Sequence, residues 1–302
     1  MKNLLKQKLD TLYTTYDRAF LDSDPLSFVH RYADPADQEV VGLVCATLAY
    51  GNVKMIRSNL SSLLALLGPR PARFVLRFDP VRDGGNFSHF SHRFTKGHDI
   101  ILLVYYMKQM LKTSGSLGEF FRGGRSEILE IRQLLSDFVQ RVLALDCSPM
   151  YPDGILPKDA GIRFLFSSPD NGSACKRLNL FLRWMVRRDD IDLGLWPFIS
   201  PAQLIIPLDT HVARICGLIG LTARKTAGWA MAEEITDNLK MLDPHDPVKY
   251  DFAISRLGIL ARCPKVPVPF QCLQCELKEF CTSFSSVDTL VDGASRLSSS
   301  AI

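Results

Sequence analysis

Long apolar runs are missing from this chain. The most apolar one, residues 100–107, is about half the length a membrane-spanning helix needs. The opening Met1-Lys2-Asn3-Leu4-Leu5-Lys6 lacks the apolar core of a secretory signal. Neither charge prevails: 36 basic residues face 32 acidic ones, a net +4. Such a balance permits a nucleic-acid partner without arguing for one, so that case must come from local clustering. Period-2 alternation and long internal repeats are also missing, which excludes a β-rich fold and a solenoid. The expectation is a cytoplasmic monomer with no membrane partner. At 302 residues and 47% hydrophobic, it builds its core without disulfides.

What remains is helical periodicity, and the fold class read from it is all-α. Residues 1–22 read as a helix with Leu5, Leu9, Leu12 and Phe20 on one side, ended by Asp22-Ser23-Asp24-Pro25. Asp34-Pro35 is a cap-plus-proline start, with Asp37 and Glu39 placed to complement the helix dipole. Residues 40–50 are apolar nearly all round, which predicts a buried helix. Gly51-Asn52 breaks it, and residues 53–67 resume until Gly68-Pro69-Arg70-Pro71. Residues 79–94 read as a loop. Helices follow at about 98–113, 116–122 and 126–146, then a proline-rich connector and a short helix at 159–166. Further helices are predicted at 175–188, 210–219, 225–241 and 247–261, the last opened by a second cap-plus-proline, Asp246-Pro247. The chain divides into an N-terminal helical region, 1–157, a second region, 158–284, and a tail, 285–302, expected to be disordered.

Three stretches carry chemistry. In Leu208-Asp209-Thr210-His211-Val212-Ala213-Arg214 an apolar run delivers one carboxylate to the mouth of a helix. Asp209 is a helix cap on one reading and a catalytic acid on the other. The helix at 175–188 holds Lys176, Arg177, Arg183, Arg187 and Arg188 and no acid. It opens after Gly172-Ser173-Ala174, small residues that leave backbone N–H groups open to a phosphate. Its basic residues form either a phosphate-binding face or a plain solvated one. Eight cysteines complete the inventory. Cys45, Cys147, Cys175 and Cys216 are scattered and read as reduced core thiols. Cys263, Cys272, Cys275 and Cys281 follow the pattern C-x8-C-x2-C-x5-C within nineteen residues. Four thiols so close in a cytosolic segment predict a metal centre rather than disulfides. One C-x2-C flanked by two single cysteines favours a [4Fe–4S] cluster over paired zinc knuckles; zinc is the alternative.

The order of these features resembles the helix-hairpin-helix DNA glycosylases, in particular the endonuclease III-like branch with a C-terminal [4Fe–4S] loop. The resemblance rests on Lys176-Arg177-Leu178-Asn179, on the Asp209 segment, and on Leu257-Gly258 ahead of the cysteines. It spans about residues 163–283. Residues 180–187 also resemble an uncharacterised bacterial family of similar length. The glycosylase resemblance implies two helical subdomains with a helix-hairpin-helix element, and a damaged double-stranded DNA partner. It implies Lys176 as nucleophile, Asp209 as catalytic carboxylate, and the four cysteines as cluster ligands. Gly172, Ser173, Ala174 and Arg177 would hold the DNA backbone. Tyr50-Gly51-Asn52 would fill the gap left by a flipped base, although Gly-Asn is also ordinary turn chemistry. The implied activity is base excision with abasic-site lyase activity; a non-catalytic nucleic-acid-binding protein is the alternative. Three features depart from that pattern: Asn171 stands at a proline position, Ala174 at a glycine position, and residues 189–200, with Trp196-Pro197, form an insertion. Arg224-Lys225-Thr226-Ala227 repeats the lysine pattern but follows Asp209, the wrong order for catalysis.

Overall fold

A computed structural model describes residues 2–126 and 130–284. The chain is all-α; among the described residues the β-structure is one two-stranded hairpin, Ser91–His92 with Thr95–Lys96, and an isolated bridge between Arg188 and Leu193. The predicted tail, 285–302, lies outside the described residues. No helix among those described is long and apolar enough to cross a membrane.

Local chemistry sets several boundaries. Asp34 caps the helix Pro35–Thr47 by accepting from Ala36 N at 2.9 Å, and Asn52 caps Val53–Leu67 by accepting from Lys54 N. The first helix ends earlier than its apolar side suggests. It spans Lys2–Thr15, and Asp17 then caps a separate 3-10 turn, Arg18–Ser23, by accepting from Ala19 N. Pro71, read as a stop, instead sits in the first turn of a further helix, Pro71–Arg77. There it lacks only an N–H that the helix start would leave unpaired anyway.

Two acids expected to serve their own helix dipole reach outward. Asp37 accepts from Ala72 N at 2.7 Å, anchoring the start of Pro71–Arg77. Glu39, 6% exposed, accepts from Leu117 N and Gly118 N at the start of Leu117–Arg122, and from Trp196 Nε1 at 2.6 Å. Burial pushes the Glu39 carboxyl up, and the three donors offset that. Trp196 is buried and stacks on Phe121 at 5.3 Å. Residues 189–200 therefore contribute Ile191, Trp196 and Ile199 to the core.

The apolar side chains form one contiguous buried cluster from Leu5 to Leu277. Within it, the helix Lys176–Val186 packs on Pro35–Thr47, and Thr210–Leu218 packs on Asp251–Ile259. These two pairings bring the Lys176 and Asp209 segments to a shared cleft.

A candidate active-site cleft

The segment before Lys176 is a tight turn that exposes the helix mouth. Gly172 takes φ 72° and its carbonyl accepts from Trp229 N. Ser173 Oγ accepts from Cys175 N at 3.1 Å, and Cys175 itself holds φ 47°. No side chain caps the helix Lys176–Val186, so no capping bond engages its first N–H groups. Asn179 does not cap it either: Asn179 Nδ2 donates back to Ala174 O at 3.0 Å.

A cleft of about 580 Å³ opens here, lined among others by Tyr50, Lys176, Arg177, Asp209, Asp251 and Arg256. A shallower depression of about 400 Å³ lies among Arg70, Arg73 and Arg77 and contains no lysine. Lys176 is half-buried in the larger cleft, and its Nζ donates to Ala49 O at 2.7 Å. Burial lowers the pKa of this amine. Asp209, Asp24 and Asp251 oppose that shift, and Arg177 reinforces it.

Asp209 caps Thr210–Leu218, and both capping bonds, from His211 N and Val212 N at 2.8 Å, go to Oδ1. Oδ2 takes no part in the cap, so the structural and chemical readings of this residue are compatible. Gly258 lets the helices close beside it: a Cβ there would come within 2.3 Å of the His211 ring.

The floor of the cleft is charged in a way the sequence does not announce. Asp251, on Asp251–Ile259, accepts from Arg183 Nη1 at 2.5 Å through Oδ2, while its buried Oδ1 has no partner. Burial pushes its carboxyl up to about 6, against the pull of Arg183 and with Asp209 adding to the rise. Asp24 pairs with Arg256 at 2.5 Å alongside. These partners are 68 and 232 residues apart in the chain, beyond the reach of any local pattern.

The basic helix is a correction. Arg183 and Arg187 are 2% and 3% exposed. Arg183 pairs with Asp192 and Asp251; Arg187 pairs with Asp189, Asp192 and Asp246. Residues 189–200 supply Asp189 and Asp192, which neutralise the two arginines before solvent can. Asp246, expected as a helix cap, makes no capping bond because its carboxylate is engaged by Arg187 Nε. Of the five basic residues, Lys176, Arg177 and Arg183 line the cleft, and Arg183 does so with its charge already paired to Asp192 and Asp251. Arg177 donates to Phe164 O, and its guanidinium lies 3.9 Å from the Phe164 ring centroid and 5.3 Å from that of Tyr50.

Tyr50-Gly51-Asn52 lies at the lip, but two of the three are committed. Tyr50 Oη bonds to His92 O at 2.8 Å and to Thr95 Oγ1 at 2.7 Å, and the Asn52 side chain is the helix cap. Gly51 is exposed.

The cysteine segment packs against the same helix that Asp209 caps. Arg214 Nη1 donates to Cys263 Sγ at 3.2 Å, and Thr282 N donates to Leu218 O at 2.9 Å. All four thiols are partly buried. Burial and the other cysteines of the segment push Cys272 and Cys275 up. Among the described residues, no three His, Cys, Asp or Glu side chains converge as they would around one metal ion. Thiols of this kind are soft donors, which zinc and iron–sulfur clusters both take.

Comparison with known families corrects the glycosylase resemblance. Residues 24–260 match the family described as "Protein of unknown function (DUF2400)", and the chain belongs to that family. No helix-hairpin-helix glycosylase family matches. The matched span ends before Cys263, so it does not include the four-cysteine segment. No curated protein and no solved structure matches the chain.

Proposed function

We propose that the protein is a DNA base-excision glycosylase with associated abasic-site lyase activity. The observation that carries this reading is the shared cleft, in which Lys176 is an amine of lowered pKa and Asp209 keeps one carboxylate oxygen outside its cap. A neutral amine is the nucleophile this chemistry needs. The Lys176 lone pair forms a bond to the sugar C1′ as the base leaves with the electron pair of the glycosidic bond and takes up a proton. Ring opening places a proton on O4′ and gives an imine. Asp209 Oδ2 accepts the proton that the attacking amine sheds and faces the positive charge developing at C1′. Arg177 and the uncapped start of the Lys176–Val186 helix supply phosphate contacts. The base must leave the stack to enter, which selects a base whose pairing is already weakened. Cys263, Cys272, Cys275 and Cys281 would hold a [4Fe–4S] cluster that fixes the loop beside Arg214; a cytoplasmic setting keeps those thiols reduced.

One observation favours the second reading, a non-catalytic nucleic-acid-binding protein: Lys176 Nζ is tied to a backbone carbonyl, Ala49 O. Borohydride trapping separates the two. On abasic-site duplex the wild type gives a covalent protein–DNA adduct, because hydride reduces the imine to a stable secondary amine. Lys176→Gln gives none and keeps the fold. A wild type that yields neither adduct nor released base across a panel of lesions supports the binding protein instead.

A further inference from the structure

Residues 86–98 hold three phenylalanines, three histidines, one arginine and one lysine, and no acid. The hairpin within this run pairs Ser91 with Lys96 and His92 with Thr95, which leaves Arg93 and Phe94 as a two-residue tip. Arg93 takes φ 52°. Glycine or asparagine is the usual occupant of such a position, because a Cβ disfavours that conformation. Phe94 stands 65% exposed.

The tip is rigidly mounted. Buried His92 bonds Tyr50 O through Nε2 at 2.9 Å and Asn59 through Nδ1 at 2.8 Å. Tyr50 Oη reaches back to both strands. Asp99 accepts from Lys96 N at the base of the hairpin. The Arg93 guanidinium lies 5.3 Å from the Phe94 ring centroid, and its side chain crosses Gly51, where a Cβ would come within 2.8 Å of Arg93 Cδ. Phe94 meets Phe164 edge-on at 5.8 Å, and Phe164 meets Tyr50 at 5.1 Å. An aromatic path, with Arg93 and Arg177 laid over its rings, thus runs from the exposed tip into the Lys176 cleft.

We propose that Arg93 and Phe94 form a base-stacking probe, in which Phe94 occupies the gap in a DNA duplex left by an extruded or missing base and Arg93 engages the adjoining phosphate. This rests on the DNA reading above and names the element that reads the gap; the committed Tyr50 and Asn52 cannot do so. Positive charge beside exposed aromatic faces, with no acid in the run, fits a nucleic acid rather than an apolar protein partner. A strained backbone held by over-determined surroundings is the usual mark of a residue kept for contact rather than stability.

The test uses the full chain and a duplex carrying one tetrahydrofuran abasic residue, which the amine cannot attack. Intact duplex, single strand and phosphatidylserine–phosphatidylcholine vesicles are the comparisons. Phe94→Ala should weaken gapped-duplex binding about tenfold while intact duplex changes by less than about twofold, since stacking is lost only where a gap exists. In Phe94→Trp the new indole reports on the tip, because Trp184, Trp196 and Trp229 are all buried. Its emission should be quenched by gapped duplex and single strand, and not by vesicles. Arg93→Gly should relieve the backbone, melt no lower than wild type, and still bind the gap several-fold more weakly. If the wild type binds DNA but Phe94→Ala and Arg93→Gly match its affinity and the Phe94→Trp emission does not respond to the abasic duplex, the probe is wrong and the DNA reading stands. If the wild type binds no nucleic acid, both fall. Brightening on vesicles without a response to gapped duplex makes the tip a membrane contact and overturns the proposal.

Discussion

At the residue scale the decisive pair is Lys176 and Asp209, which separate structure from chemistry differently. Asp209→Asn retains most of the cap, because Asn caps nearly as well as Asp and the loss to Ala would be only about 1 kcal/mol. It removes the carboxylate charge, however, so single-turnover base release should fall by roughly 100-fold or more while the melting temperature barely moves. Full activity in that variant would leave Asp209 a cap alone. For Lys176 the sign of the pH dependence follows from burial. The folded amine loses its proton below the 10.5 of an ordinary lysine, so adduct formation should rise with pH and level off below that value. A rate that climbs without levelling up to 10.5 would mean that the amine is not tuned. The Asp209 cap was legible in the sequence from its place at a helix mouth, whereas Lys176 was singled out there by the resemblance of Lys176-Arg177-Leu178-Asn179 and not by its basic cluster. Asp251 and Asp24 were not legible, because their partners Arg183 and Arg256 lie far away in the chain.

At the element scale, the helix Lys176–Val186 divides its cations between two tasks. Arg177 faces the cleft rim, whereas Arg187 lies buried among Asp189, Asp192 and Asp246. Removing one partner of a buried network leaves charge uncompensated, so Arg187→Ala should cost about 3–5 kcal/mol in denaturant unfolding. The salt dependence of its DNA binding should match wild type, measured where the variant remains folded. Arg177→Glu, measured where the variant remains folded, should instead give weaker binding to every duplex and a shallower slope of affinity against salt. If Arg187→Ala flattens that slope instead, the network opens to solvent and the arginine reaches phosphate. Composition alone could not make this division, since the neutralising acids are Asp189, Asp192 and Asp246, all outside the helix. The hairpin was missed for a related reason. Two residues per strand are too few for alternation to register, and its register is held by Tyr50 and Asn59 from outside the segment. Val53–Leu67, with its cap and clean apolar period, was legible at both ends, whereas Pro35–Thr47 was legible at its capped start and stops three residues short of the end read at residue 50.

At the scale of the whole molecule, the four-cysteine segment fastens the end of the described chain to the body. With a cubane bound, protein purified without oxygen should absorb broadly near ~400 nm, and Cys275→Ser should lose that band together with iron and sulfide. Stoichiometric zinc in a colourless preparation would assign the thiols to the other metal. Arg214 and Asp209 belong to one short, straight stretch: the carboxylate sits at the mouth of Thr210–Leu218, and the guanidinium that grips Cys263 lies five residues on, about 7.5 Å along the axis. Nothing between them bends. Coupled through that helix, loop and cleft should open together, and their backbone amides should exchange with deuterium at one common rate.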